Sequence, residues 1–170
     1  MEVIAPMKRV CVVLVATALL GFGIASQAAE DEVAVIVNNS NPLASLTMAD
    51  LRKILLGPRP KWSNGMNMTV LMTKPGQPER SGTLKLVCGM SETDFMLHFV
   101  RGWRKPDGSS NANNGDSPKV FDSGVQLRQS VASTPDAVGF IKASQVDGSV
   151  KVVAIDGNRP GQPDYKLKLK

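Results

Sequence analysis

The residues best suited to chemistry lie in the stretch Lys74–Thr83, KPGQPERSGT, between the apolar run Met68–Thr73 and the helix-like run Leu84–Cys88. The order reads as strand, loop and helix N-terminus. The first turn of a helix has unpaired backbone N–H groups and the positive end of the macrodipole, so a small anion can accept several of them there. Ser81 is placed to be the N-cap or to turn its hydroxyl to a ligand, Gly82 lets a backbone approach closely, and Thr83 offers a second hydroxyl. Lys74 and Arg80 add cationic charge. An ordinary capped helix has the same signature, so the motif alone does not separate capping from binding.

Catalytic constellations are missing from the pattern. His98 is the only histidine, and no serine or cysteine stands beside it in sequence as an activated nucleophile would need. No Cys/His/Asp cluster has metal-ligand spacing, so no metal and no cofactor is expected. A non-enzymatic protein is the reading this supports. Cys11 and Cys88 are the two cysteines. Cys11 falls in a segment expected to be removed, which leaves Cys88 without an intramolecular partner.

That segment is the N-terminus. Met7-Lys8-Arg9 is basic, Val10–Ile24 is apolar, and Ser26-Gln27-Ala28 offers small residues where a signal peptidase reads them. Residues 1–28 are thus expected to be a signal peptide cleaved after Ala28, with residues 29–170 forming one α/β domain in the periplasm or outside the cell. About 140 residues suffice for one core. The whole chain carries a formal charge of +5 with a single tyrosine. Its cations are scattered and not interleaved with aromatics, which argues against nucleic acid and allows a modest attraction for small anions.

Several elements must position the motif. Val33–Val37 is a continuous β-branched run, as in a strand buried on both faces, and ends at the polar turn Asn38–Pro42. Asn39 and Ser40 in that turn either point at a ligand or satisfy their own backbone in an Asx-type turn. Thr47 and Asp50 have capping-box spacing ahead of Met48, Leu51, Ile54 and Leu55, and Gly57-Pro58 is expected to close that helix with a C′ glycine. Trp62 is expected to pack its loop onto this helix. Ser91 and Asp94 repeat the capping pattern for a helix through Gly102, with Phe95, Met96, Phe99, Val100 and Trp103 as its apolar face.

Residues 104–119 are rich in turn formers and read as a long loop. Asp122 or Ser123 then caps a helix with Val125, Leu127, Val131 and Ala132 as core contacts. Val138–Ile141 and Ser149–Ile155 read as strands, and Tyr165–Lys170 alternates like an edge strand or a frayed tail. This order describes an α/β sandwich on a largely parallel or mixed sheet. In such sheets ligands sit beyond the carboxyl ends of the strands, where both Asn38–Ser40 and Lys74–Thr83 are expected.

Taken in order, Val33–Pro42, the helix Leu46–Gly57, the turn Lys61–Gly65, Ser81-Gly82-Thr83, Ser123–Ile141 and Val150–Gly157 resemble the phosphate-type periplasmic substrate-binding proteins of ABC transporters. The resemblance covers essentially the whole mature chain. It implies one lobe of a type 2 periplasmic-binding-protein fold, α/β with a mixed, mostly parallel sheet flanked by helices. It also implies that Ser81, Gly82 and Thr83 hold phosphate through hydroxyls and amides, with Arg80 or Lys74 as the cation.

Such proteins close two lobes on the ligand, and this chain has residues for about one. The function implied is binding of a small oxyanion, phosphate or sulfate, for ABC-type uptake or sensing, with transporter membrane subunits or a second copy of the chain as partners. The alternative is an interaction module that docks a protein through the face of the missing lobe. Pro135-Asp136 replaces the family's Pro-Gly turn and is expected to change little else.

Overall fold

The computed structural model describes residues 31–57, 60–62, 65–101 and 117–169. The expected signal peptide, Trp103 and most of the long polar loop lie outside these residues.

A five-stranded sheet of order β4-β3-β5-β1-β6 forms the centre. Its strands are β1 Val33–Asn38, β3 Thr69–Thr73, β4 Lys119–Phe121, β5 Ala137–Lys142 and β6 Val150–Val152, while β2 Ser45–Leu46 and β7 Ala154–Ile155 form a parallel pair beside it. β3 pairs in parallel with β4 and β5, whereas β1 runs antiparallel to both β5 and β6. Four of the five strands therefore point one way and β1 points against them, a mixed and mostly parallel sheet.

Alternation along β1 explains why all of it is buried. Val33, Val35 and Val37 join one core with the helices α1 Met48–Leu56 and α3 Glu92–Arg101 and with Leu84, Val87 and Cys88, which follow the short helix α2 Pro78–Thr83. Ala34 and Ile36 face the second core beneath α4 Gly124–Ser133, with Leu127 and Val131. A side chain at Gly139 in β5 would press on this helix, since a Cβ there would lie 2.5 Å from Leu127 Cδ2, so the glycine permits the close approach.

The capping box of α1 forms as expected, with Thr47 Oγ1 accepting from Asp50 N (3.1 Å) and Asp50 Oδ2 accepting from Thr47 N (3.2 Å). Ser91 and Ser123 cap α3 and α4 by accepting from Asp94 N and Gln126 N. Gly57 differs from the expected left-handed cap. Its φ is −78°, and it is needed because a Cβ would lie 2.4 Å from the Lys53 carbonyl oxygen.

Other differences follow from packing. Met96 is 54% exposed and Val125 43% exposed, because only the Phe95 and Leu127 sides of their helices meet the core. The expected strand Ser149–Ile155 is two strands, broken where Val153 N turns to donate to Val35 O (2.9 Å). The C-terminal segment is docked rather than frayed. Tyr165 and Leu167 are buried, Tyr165 Oη donates to Val33 O (2.5 Å), and Val33 N donates to Leu167 O (2.8 Å).

Candidate functional site

β3 ends at Thr73, and Lys74 N keeps the pairing with β4 for one more step by donating to Phe121 O (2.9 Å). Gly76, with φ +89°, then turns the chain. Pro78 opens α2 at its first turn behind Gln77, so the helix starts three residues before Ser81. Proline at this position has a preset φ and no N–H to leave unpaired, which is why it fixes the start.

This overturns the expected N-cap role of Ser81. The amides of Arg80 and Ser81 both donate to Gln77 O (3.1 and 3.0 Å), so they are spent on the first turn. Gly82 and Thr83 stand deeper in the helix, where intrahelical bonds take their amides. Leu84–Cys88 continues the helix as a π-helical turn, ended by Gly89 at φ +66°.

The side chains divide in the same way. Ser81 is exposed, and so is Lys74, whose Nζ lies 3.6 Å from Asp122 Oδ1. Both residues of that pair are at least half exposed, so water screens the attraction and it is worth little. Thr83 is fully buried and its hydroxyl proton is used in an internal back-bond to Glu79 O (2.7 Å). A Cβ on Gly82 would lie 2.0 Å from Leu169 Cδ2, so this glycine admits the C-terminal segment.

Arg80 is 5% exposed and held on three sides. Nε donates to Glu92 Oε1 and Oε2 (2.8 and 3.0 Å), Nη2 donates to Oε1 (2.5 Å), and Nη1 donates to Thr73 O (3.0 Å). The Phe95 ring centroid lies 5.8 Å from its Cζ. Arg80 thus ties the end of β3 to the first turn of α3 and closes the base of the Lys74–Arg80 loop. Glu92 carried no signal in the sequence, since it reads as an acidic residue in a helix first turn.

Asn39 and Ser40 lie at the other end of the sheet. Because β1 is antiparallel to β5, Val37 pairs with Val138, and Val138 pairs with Val70 near the start of β3. The carboxyl end of β1 is therefore beside the amino end of β3, and the expectation of one shared ligand edge is corrected. The Asx-type reading holds for Ser40, whose N and Oγ donate to Asn38 Oδ1 (2.9 and 2.7 Å), while Asn39 Nδ2 donates to Gly148 O (3.0 Å).

That opposite end holds a groove of about 920 Å³ lined by Ser40, Leu43, Ile54, Trp62, Met66 and others. Trp62 packs in the core with α1 as expected, and its Nε1 donates to Asp136 O (3.0 Å). Asp136 does more than the sequence suggested. Its Oδ2 accepts from Thr69 Oγ1 (2.8 Å) and its carbonyl accepts from Thr69 N (3.0 Å), anchoring the start of β3.

His98 Nε2 lies 3.0 Å from Leu56 O, a contact to backbone rather than to a nucleophile. Burial pushes the Cys88 thiol up to about 11, away from thiolate reactivity. Among the described residues no cluster of three or more His, Cys, Asp or Glu side chains could hold a metal, and no helix is long and apolar enough to cross a membrane. Among the described residues, the edge beyond β3 and β4 presents the Lys74 ammonium, the Ser81 hydroxyl and the Asp122 carboxylate to solvent. The first two suit anion contact, and the carboxylate competes for the ammonium.

No protein-family model matches the chain, nor does any curated protein. Solved structures do. An ABC-type phosphate transport receptor from Vibrio cholerae superposes with a TM-score of 0.62 at 22% identity, over 82% of this chain and 54% of that one. A Clostridium perfringens protein assigned as a phosphate ABC transporter substrate-binding protein, with bound phosphate, gives 0.58 at 21% identity over 76% and 47%. PstS from Borrelia burgdorferi gives 0.58 at 14% identity over 82% and 55%. The chain spans about half the length of these structures, as one lobe of such a protein does. Its fold is that of the phosphate-type substrate-binding proteins of ABC transporters.

Proposed function

We propose that the mature chain is a secreted or periplasmic, non-enzymatic, single-lobe binding protein that holds a small oxyanion, phosphate ahead of sulfate, at the edge formed by Lys74 and Ser81. The observation that carries this reading is their joint exposure beyond the carboxyl ends of the parallel strands β3 and β4, in a fold whose Clostridium perfringens example holds phosphate. Thr83 and Arg80 build the wall behind the site and do not reach into it.

One lysine, already 3.6 Å from the exposed Asp122 carboxylate, and one hydroxyl on an open edge leave much of the anion in water. Affinity is therefore weak and salt-sensitive unless a second copy of the chain or a transporter membrane subunit covers the site. A thermal-shift panel of phosphate, sulfate and chloride at matched ionic strength tests this, because a ligand that binds only the folded chain raises its melting temperature. The expected result is a rise with phosphate and sulfate beyond chloride that Lys74→Ala with Ser81→Ala removes. An identical response to all three salts would reject the reading. The chain's half-length span favours one alternative, docking of a protein partner through the face that a second lobe covers in the longer proteins.

A further inference from the structure

The strongest anion-binding group near this edge is not available to solvent. A guanidinium fork matches a carboxylate or a tetrahedral oxyanion with two parallel N–H donors, which an ammonium cannot do. Arg80 has that fork, next in sequence to the exposed Ser81, and the fork is filled. Nε donates to both Glu92 carboxylate oxygens and Nη2 donates to Oε1, at 2.5–3.0 Å. The Arg80 side chain is 5% exposed and the Glu92 side chain 25% exposed, so solvent meets the carboxylate first.

We infer that Glu92 is an internal ligand: its carboxylate occupies the Arg80 fork in place of a solvent oxyanion and keeps that fork closed. The inference rests on the reading above for the location of the edge, but it concerns Arg80 rather than Lys74. Thr73 O holds Nη1 (3.0 Å) and the Phe95 ring lies against Cζ, so the guanidinium stays in place when Glu92 is removed. Without the carboxylate a nearly buried cation has lost its counter-charge, and an anion that reaches it is bound strongly.

The test is the anion response of Glu92→Ala, followed by thermal unfolding with sodium phosphate or sodium sulfate against sodium chloride at equal ionic strength. The expected apparent Kd for phosphate is about tenfold lower than that of the parent, a gain of about 1.4 kcal/mol. Adding Arg80→Gln should abolish the gain, whereas adding Lys74→Ala should leave it. A Glu92→Ala chain that folds only with phosphate or sulfate present also supports the inference. Glu92→Gln, which keeps the outline and removes the charge, should show the same preference if the alanine variant fails to fold.

Glu92 variants that respond like the parent, that keep their gain after Arg80→Gln, or that stay unfolded in both anions would overturn it. A parent that binds no phosphate would reject the Lys74–Ser81 reading and leave this one standing, because the fork is filled in the parent.

Discussion

Gly82 and Leu169 are in contact across the segment that joins the chain's end to α2: a methyl group at position 82 would lie 2.0 Å from Leu169 Cδ2 and 3.9 Å from Val33 Cγ2. The glycine in Ser81-Gly82-Thr83 therefore serves packing. Gly82→Ala should lose about 1–3 kcal/mol by pushing Leu169 out, offset by the roughly 1 kcal/mol that alanine gains over glycine in a helix. Removing the obstacle reverses the sign. In a Leu169→Ala background Gly82→Ala should stabilise the chain, which a denaturant-based double-mutant cycle would read directly. Destabilisation of equal size in both backgrounds would contradict the contact.

Cys88 offers a pH signature. Burial raises its thiol from 9.0 to about 11 in the folded chain, so between those values the unfolded chain releases the proton and the folded chain keeps it. The folded state binds more protons in that window, and stability falls as pH rises through it. The contribution is fully present below pH 9. Cys88→Ala should show a shallower decline in unfolding free energy between pH 9 and pH 11 than the parent, and the parent thiol should label rapidly only after denaturation. Parallel pH profiles for the two chains would count against a buried thiol.

Trp62 tests the division between scaffold and site. Trp62→Phe removes the Nε1 donor to Asp136 O, but that carbonyl still accepts from Thr69 N at 3.0 Å, so the loss should be about 0.5–1.5 kcal/mol. Trp62→Ala empties a buried position and should cost about 3–5 kcal/mol. Neither change should alter the difference between phosphate and chloride in the thermal-shift assay. A selective loss of the phosphate response would move the anion site to the Trp62 end of the sheet.

What the sequence makes legible depends on how local the cause is. The capping box at Thr47, the side-chain cap at Ser91 and the two-faced burial of β1 are written in neighbouring residues, and all three form. The direction of β1 is not local, because it is set by pairing with β5 about a hundred residues away in sequence. That one orientation separates Asn39 and Ser40 from Lys74 and Ser81. β4 is three residues long, two of them exposed, and it becomes a strand only by pairing with β3.

The start of α2 is encoded in Pro78, three residues before the serine that has the familiar N-cap signature. The partner of Arg80 needs the fold. Nothing in the spacing of Arg80 and Glu92 announces a fork-to-fork pair between two different helices.

The central claim is that Lys74 and Ser81 hold an oxyanion, and calorimetric titration of residues 29–170 with phosphate at low ionic strength tests it most directly. The account predicts weak, saturable heat at millimolar phosphate that fades with added salt and disappears in the Lys74→Ala, Ser81→Ala double variant. No heat of binding up to millimolar phosphate and sulfate, or the same heat from the double variant as from the parent, would contradict it.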